Sequence, residues 1–366
     1  MRLSKNITQL RRLKKAVSGK QSHAAGRLSD LELVAHNPGD LRGRFYVPEG
    51  LGPDAPLVVV LHGCTQNAAG DDQGSGWSRL ADRRGFALLF PEQNRSNNPN
   101  LCFNWYNPED AQRGSGEAAS IRAMVELMIS AHRLDRSRVF VTGLSAGGAM
   151  ASVMLAAYPD LFAAGAIIAG LPFGCASNLP EAFSCMGGRG GSDPAVLAAS
   201  VRSASAHKGP WPRVSVWQGS ADQIVSPANG DAIVAQWTRL HGLSRTPSRI
   251  DTVEGYPRRV WEGPDGKALI EHYQITGMGH GTPLMPGTGE GQSGEAMAHM
   301  LDASISSTDR IADFFGLPPA FAKQAAAKKA ESPPKKKAAP REEKAQPVNQ
   351  VQKVIEDALR AAGLMR

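Results

Sequence analysis

Residues Val139 to Ala149, reading VFVTGLSAGGA, decide how the rest of the chain is read. Val139, Phe140 and Val141 form a β-rich run that enters Gly143-Leu144-Ser145-Ala146-Gly147, and the small residues Gly148, Ala149 and Ala151 then suit a helix start. Strand, G-x-S-x-G, helix is the context of a sharp turn that lifts a serine hydroxyl above a sheet edge. Larger side chains two residues either side of the serine would collide with the neighbouring backbone, and Gly143 and Gly147 remove that collision. The alternative is an ordinary glycine turn with a solvated serine. The bare pattern recurs by chance, so its flanks carry the argument.

Upstream, Leu57-Val-Val-Val-Leu61 is a continuous apolar run, as expected of a strand buried on both faces of a parallel sheet. A short strand from Gly43 to Val47 precedes it. A helix containing Trp77, Leu80 and Ala81 follows, then a strand from Phe86 to Phe90 stopped by Pro91. Residues 94–108 read as a polar loop bearing Phe103, Trp105 and Tyr106, and Gly116 to His132 as a long helix. Downstream come a helix to Tyr158, a strand from Ala163 to Ala169 and a Gly/Pro-containing loop over 171–193. A strand over Val214–Trp217, a helix over Asn229–His241, a strand over Leu269–Ile275 and a helix over Ser304–Phe315 complete the body. Strands alternating with helices predict the α/β class, with a mostly parallel central sheet and helices on both faces.

The chain of 366 residues divides by composition. Residues 1–24 form a basic arm, 25–317 a single α/β domain, and 318–366 a Lys/Ala/Pro-rich segment expected to be disordered, with a short helix over Val351–Met365. The first twenty residues carry seven positive charges and no acid, and Lys323–Lys344 adds five net positives. The overall charge of +7 therefore resides at the two ends, leaving a mildly acidic body. Basic ends fit an anionic lipid, a nucleic acid or a granule surface, or act only as solvated tails; no specific nucleic-acid partner is expected. The start of the chain lacks the apolar core of a secretory signal, which favours cytoplasmic residence. Four cysteines (Cys64, Cys102, Cys175, Cys185) are too few for a disulfide scaffold. Cys175 and Cys185 are near enough to close a loop, or else stay reduced. No C-x-x-C or H-E-x-x-H spacing points to a metal.

A serine hydroxyl needs a base to become nucleophilic at neutral pH, and the base needs an orienting carboxylate. In the α/β-hydrolase fold these follow in the order Ser, Asp or Glu, His. Asp222 lies just after the strand ending at Trp217, and His280 lies in a glycine-flanked loop after the strand ending at Ile275. Asp231 falls in a helix, Asp251 in a polar stretch, His272 inside a strand and His241 at a helix end; His299 is the strongest rival base. An oxyanion needs backbone donors. Ala146, next to the serine, and Cys64, after the early buried strand, are placed to supply them. A reactive Cys64 thiol is the alternative.

The set LHGCTQ (Leu61–Gln66), SGW (Ser75–Trp77), PEQ (Pro91–Gln93), NWY (Asn104–Tyr106), GLSAGGAM (Gly143–Met150) and the QGSAD and GMGH loops resembles the polyhydroxybutyrate (PHB) depolymerase family of esterases. Relatives of that family resemble feruloyl and acetylxylan esterases. The resemblance spans most of residues 40–316. It implies an α/β-hydrolase fold and cofactor-free ester hydrolysis, with Ser145 as nucleophile, Asp222 as orienting acid, His280 as base, and Cys64 and Ala146 as oxyanion donors. Trp105, Tyr106 and Gln66 are the implied substrate contacts, with Trp105 alternatively a loop anchor. Many members are secreted, whereas this chain shows no threonine-rich or fibronectin-like linker. The expected function is serine esterase action on short hydroxyalkanoate polyester or its oligomers. The alternatives are a feruloyl or acetylxylan-type esterase and, from another class, a granule- or surface-binding protein on an inactive scaffold.

Overall fold

The computed structural model describes residues 26–32, 36–189 and 193–319; the arm over 1–24 and the chain beyond 319, with the helix expected from Val351, lie outside the described residues. Strands β1 (Ser29–Leu31) and β2 (Arg42–Tyr46) lead to β3 (Leu57–Leu61), whose five side chains are all buried. Leu57, Val59 and Leu61 join one apolar core and Val58 and Val60 a second, on the opposite face of the sheet. This is the strand period of two acting on a sheet covered from both sides.

Helices α1 (Ala68–Ser75) and α2 (Trp77–Arg84) precede β4 (Ala87–Glu92). The strand continues through Pro91 instead of stopping there. Parallel pairing of β4 with β3 ends at Leu89, while antiparallel pairing with β2 runs on through Gly43 opposite Pro91. A residue without an N–H is tolerated where one ladder has already ended.

Helices α3 (Pro108–Ala111) and α4 (Gly116–His132) follow, then β5 (Val139–Leu144), α5 (Ala146–Ala157) and β6 (Ala164–Ile168). The expected 171–193 loop contains α6 (Leu179–Met186), and α7 (Pro194–Ser203) starts directly after it. Asn178 caps α6 by accepting from the Glu181 N–H, and Asp193 caps α7 by accepting from Ala195. The Pro and Gly residues that suggested loop are in part helix-start residues, since proline in the first turn costs no hydrogen bond. β7 (Arg213–Gly219), α8 (Ala228–His241), β8 (Arg249–Val253), β9 (Tyr256–Glu262) and β10 (Ala268–Ile275) complete the main sheet; β11 (Thr282–Leu284), β12 (Met300–Asp302) and α9 (Ser307–Phe315) end the body.

The order β1-β2-β4-β3-β5-β6-β7-β10-β9-β8 places a parallel block from β4 to β10 between antiparallel margins. One core packs Met124, Val125 and Met128 of α4 and Met150 and Val153 of α5 against the sheet. The other packs Trp77 and Leu80 of α2 and Ile311 and Phe315 of α9. The β8–β9 hairpin was not expected, because β8 lies at the sheet margin with its side chains largely exposed and shows no apolar alternation. The parallel strands β5, β7 and β10 all end on one edge of the sheet, where Ser145, Asp222 and His280 follow.

Candidate active site

Ser145 sits between β5 and α5 with φ 58° and ψ −117°. For a non-glycine residue this backbone is strained by about 1–3 kcal/mol and persists only where packing enforces it. The enforcing contact is close: a Cβ on Gly147 would lie 2.0 Å from the Leu61 carbonyl oxygen. Only glycine lets the start of α5 press onto the end of β3, as the sequence predicted. The Ser145 N–H donates to Ile168 O at 2.9 Å, and Ser145 O receives the Ala149 N–H.

The Asp222 and His280 loops are sewn together at the ends of β7 and β10. Ser220 N donates to Ile275 O, Ala221 N to Met278 O, and Gly277 N to the Ser220 hydroxyl. A Cβ on Gly219 would meet the Met278 oxygen at 2.4 Å, so this glycine too is demanded by close approach. The result is a 2.8 Å hydrogen bond from His280 Nδ1 to Asp222 Oδ2. Gln218 Nε2 donates to the same Oδ2 at 3.2 Å, and the other Asp222 oxygen accepts from the N–H groups of Ile224 and Val225, both at 2.9 Å. Burial alone would raise this carboxyl; His280 and the two backbone donors outweigh it and hold the group below its ordinary value. An ionised Asp222 fixes the His280 tautomer with Nε2 free to take a proton. Ser145 and His280 are not hydrogen-bonded to each other here, a joint that unliganded sites commonly leave loose until substrate arrives.

The rivals are placed elsewhere. His272 is buried in β10 beside Arg259, and burial with that charge lowers it to about 4. His241 bonds Pro212 O, and Asp231 pairs with Arg259. Asp251 lies in β8 and binds Arg258. His299 is a neighbour of the site, with Nδ1 3.3 Å from the His280 carbonyl oxygen, but it makes no bond to Asp222.

Ser145 and Ala146 line a mostly apolar cavity of about 400 Å³. One wall comprises Cys64 with Asn98, Asn100, Cys102, Trp105 and Tyr106; the other comprises Leu179, Ala182, Phe183 and Met186 of α6. Trp105 lines the cavity and is at the same time packed into the core. Gln66 is placed differently from Trp105 and Tyr106. It lies outside the cavity lining, and its Oε1 accepts from Gly63 N at 2.8 Å, which shapes the turn that presents Cys64. Among the described residues neither Cys64 N nor Ala146 N has an acceptor, so both N–H groups are available to an oxyanion. A larger hollow of about 510 Å³ between α7, α8 and β9 contains none of the expected site residues.

All four cysteines are paired, Cys64 with Cys102 and Cys175 with Cys185. The reactive-thiol alternative for Cys64 and the reduced alternative for Cys175 and Cys185 are thereby overturned. Cys64 and Cys102 lie 38 positions apart, a pairing that the spacing did not suggest. No group of three His, Cys, Asp or Glu side chains among the described residues is arranged to hold a metal. None of the described helices is long and apolar enough to cross a membrane.

Several supporting residues were not anticipated. His62 is buried and held neutral by burial; its Nδ1 bonds Gly63 O and its Nε2 accepts from Gln93 N. Glu117, at the start of α4, is fully buried and receives side-chain donors from Gln93 and Asn104. Burial, reinforced by Asp110, pushes its carboxyl up to about 8 against the pull of those donors. Asn229, at the start of α8, donates to Cys185 O at 2.9 Å. The PEQ match contained Gln93, but an acidic residue in a first helical turn ordinarily signals a helix start, which concealed Glu117.

The profile of the family described as "Esterase PHB depolymerase" matches residues 42–253. Poly(3-hydroxyalkanoate) depolymerase C of Paucimonas lemoignei is 46% identical over 303 residues, covering 82% of this chain and 72% of that protein. Acetylxylan esterase of Coprinopsis cinerea is 34% identical, covering 71% and 70%. Feruloyl esterase B of Talaromyces stipitatus is 32% identical, covering 71% and 73%. Among solved structures, an acetyl xylan esterase from Aspergillus awamori superposes with a TM-score of 0.67 at 26% identity, over 80% of this chain and 99% of that one. The fold is therefore that of the α/β-hydrolase esterases, the chain is a carboxylic ester hydrolase, and it belongs to the esterase PHB depolymerase family.

Proposed function

We propose that this chain is a serine esterase that cleaves hydroxyalkanoate polyester or its oligomers through an acyl-enzyme on Ser145. The observation that carries the reading is the convergence of Ser145, the Asp222–His280 pair and the Cys64 and Ala146 N–H groups at one sheet edge. Ser145 Oγ attacks the ester carbonyl as His280 Nε2 takes its proton. The carbonyl oxygen, now negative, accepts from Cys64 N–H and Ala146 N–H. His280 returns the proton to the departing alcohol, and a water deprotonated by His280 then releases the acid and regenerates Ser145. The 46% identity to a poly(3-hydroxyalkanoate) depolymerase supports the substrate class. So do the exposed Leu179 and Phe183 at the cavity, which suit an apolar chain better than a sugar.

The second reading, an esterase removing feruloyl or acetyl groups from polysaccharide, is favoured by the edge-on Trp105–Tyr106 pair in the cavity, which offers π faces to a ring. The basic stretches at both ends fit an anionic granule or lipid surface as partner. The two disulfides support residence in an oxidising compartment rather than the cytoplasm.

Hydrolysis of a p-nitrophenyl ester, a 3-hydroxybutyrate oligomer and a feruloylated or acetylated xylan fragment by wild type and Ser145→Ala tests the proposal. Oligomer preference, with activity lost by about 10³-fold or more in the variant, is expected. Preference for the xylan fragment would select the second reading. Equal activity in Ser145→Ala would overturn the nucleophile assignment.

A further inference from the structure

One buried carboxyl lies outside the triad yet gathers one side of the cavity. Glu117 projects from the first turn of α4 and is completely buried. Its Oε1 accepts from Gln93 Nε2 at 2.6 Å, Asn104 Nδ2 at 2.8 Å and Asn97 Nδ2 at 3.3 Å, and its Oε2 accepts from the Asn104 backbone N–H at 2.8 Å. These four donors come from three residues spread over the 93–104 segment, an irregular stretch that has no strand or helix ladder of its own. Buried irregular backbone must find side-chain partners; here Gln93, Asn94 and Asn98 serve backbone N–H groups within the segment, and the Glu117 carboxyl takes the Asn104 N–H and three side-chain amides.

The same residues reach the chemistry by two routes. Gln93 Nε2 also donates to Cys102 O, and Cys102 is joined covalently to Cys64. The Gln93 N–H donates to His62 Nε2, and Thr65 N donates to Asn100 O at 2.7 Å. The segment and the 62–65 turn are thus coupled on both sides of Cys64, whose N–H is one of the two assigned oxyanion donors.

We propose that Glu117 is a positioning residue, whose carboxyl holds the 93–104 segment and, through it, the Cys64 N–H in register with Ser145. The inference rests on the oxyanion role assigned above. It extends that role from the site to a residue on α4 that touches neither substrate nor the reacting atoms.

Glu117→Gln is the direct test. Assayed above about pH 8, where the carboxyl is ionised, an amide nitrogen at either position turns an acceptor into a donor and faces it toward an existing N–H. The expected result, measured on the folded fraction, is a fall in kcat of about 10- to 100-fold on a short p-nitrophenyl ester. KM should change little, and a boronic acid that forms a tetrahedral adduct with Ser145 should bind correspondingly more weakly. Asn104→Ser removes the side-chain donor but keeps the backbone one, with less risk to folding, and should show a smaller loss of the same kind. Wild-type kcat and boronate affinity in both folded variants, whatever the change in melting temperature, would overturn the proposal and leave Glu117 a purely structural group. That outcome is separable from failure of the esterase reading, which Ser145→Ala in parallel reports.

Discussion

The 93–107 segment reaches the cavity as irregular backbone gathered by the buried carboxyl of Glu117, whereas the opposite wall is an eight-residue helix, α6, fastened by the buried amide of Asn229. Each wall carries one disulfide. Cys64–Cys102 ties the first wall to the turn that presents the proposed oxyanion donor; Cys175–Cys185 closes a short loop within the second. Trp105 on the first wall is nearly buried, while Phe183 on the second is 61% exposed. The first wall is therefore built to hold a geometry, and the second to present an apolar surface with some freedom. Changes in the first should act on kcat, and changes in the second on KM and on substrate choice.

The largest expected effect comes from the bridges. Chain-entropy bookkeeping gives about 4 kcal/mol for a crosslink spanning the 38-residue separation of Cys64 and Cys102, and about 3 kcal/mol for the 10-residue separation of the other pair. Denaturant unfolding of Cys64→Ser/Cys102→Ser and of Cys175→Ser/Cys185→Ser should rank them in that order. Steady-state kinetics should separate them further: kcat falls in the first double variant, and KM rises in the second with kcat retained. The same kinetic defect in both would break the comparison.

Next comes Asn229→Ala. The Asn229 side chain donates to Cys185 O, Met186 O and Ser226 O, so its loss removes the side-chain tie between α8 and the end of α6, while each carbonyl keeps a backbone donor. A stability loss of about 1 kcal/mol follows from losing these buried side-chain hydrogen bonds. A longer acyl ester should show a raised KM, whereas a short acetyl ester should be nearly unaffected.

The two walls also differed in how far they could be read in advance. The placement of Ser145, Asp222 and His280 at one sheet edge was legible because each follows a strand end, and strand ends in a parallel sheet are announced by apolar runs such as Leu57–Leu61 and by close-approach glycines. Helix α6 was hidden by Pro180 and its flanking glycines, since turn residues and helix-start residues overlap. The Gln66 side chain turns back onto the Gly63 N–H, a direction that a motif match does not reveal. Glu117 and the Cys64–Cys102 bridge depend on contacts between segments distant in sequence, and no local periodicity records those.

The titration of stability sharpens the contrast. Glu117 has a folded-state value raised to about 8, above its ordinary 4.5, through burial first and Asp110 second. The folded state therefore binds more protons than the unfolded state between those values, and this contribution to stability is lost as pH rises through that window. Glu117→Gln should flatten the dependence of unfolding free energy on pH between about 5 and 8, by up to about 1.4 kcal/mol per pH unit. The second wall offers no such group: Glu181 on α6 is exposed and held low by Ser177, so Glu181→Gln should leave the slope over that range unchanged.

The smallest expected effect on the protein itself is also the most informative about substrate. Leu179 and Phe183 of α6 and Ile224 beside Asp222 are exposed at 49%, 61% and 48%. Exposed substitutions away from caps and networks usually change stability by less than about 0.5 kcal/mol, so Phe183→Ser should fold and melt as wild type does. Because Phe183 lines the cavity without touching the triad, kinetics on a short soluble ester should change by less than about twofold, while hydrolysis of an insoluble polyester film should fall severalfold. Equal loss on both substrates would mean that Phe183 shapes the acyl pocket instead, and the division between a wall that fixes geometry and a wall that meets substrate would have to be redrawn.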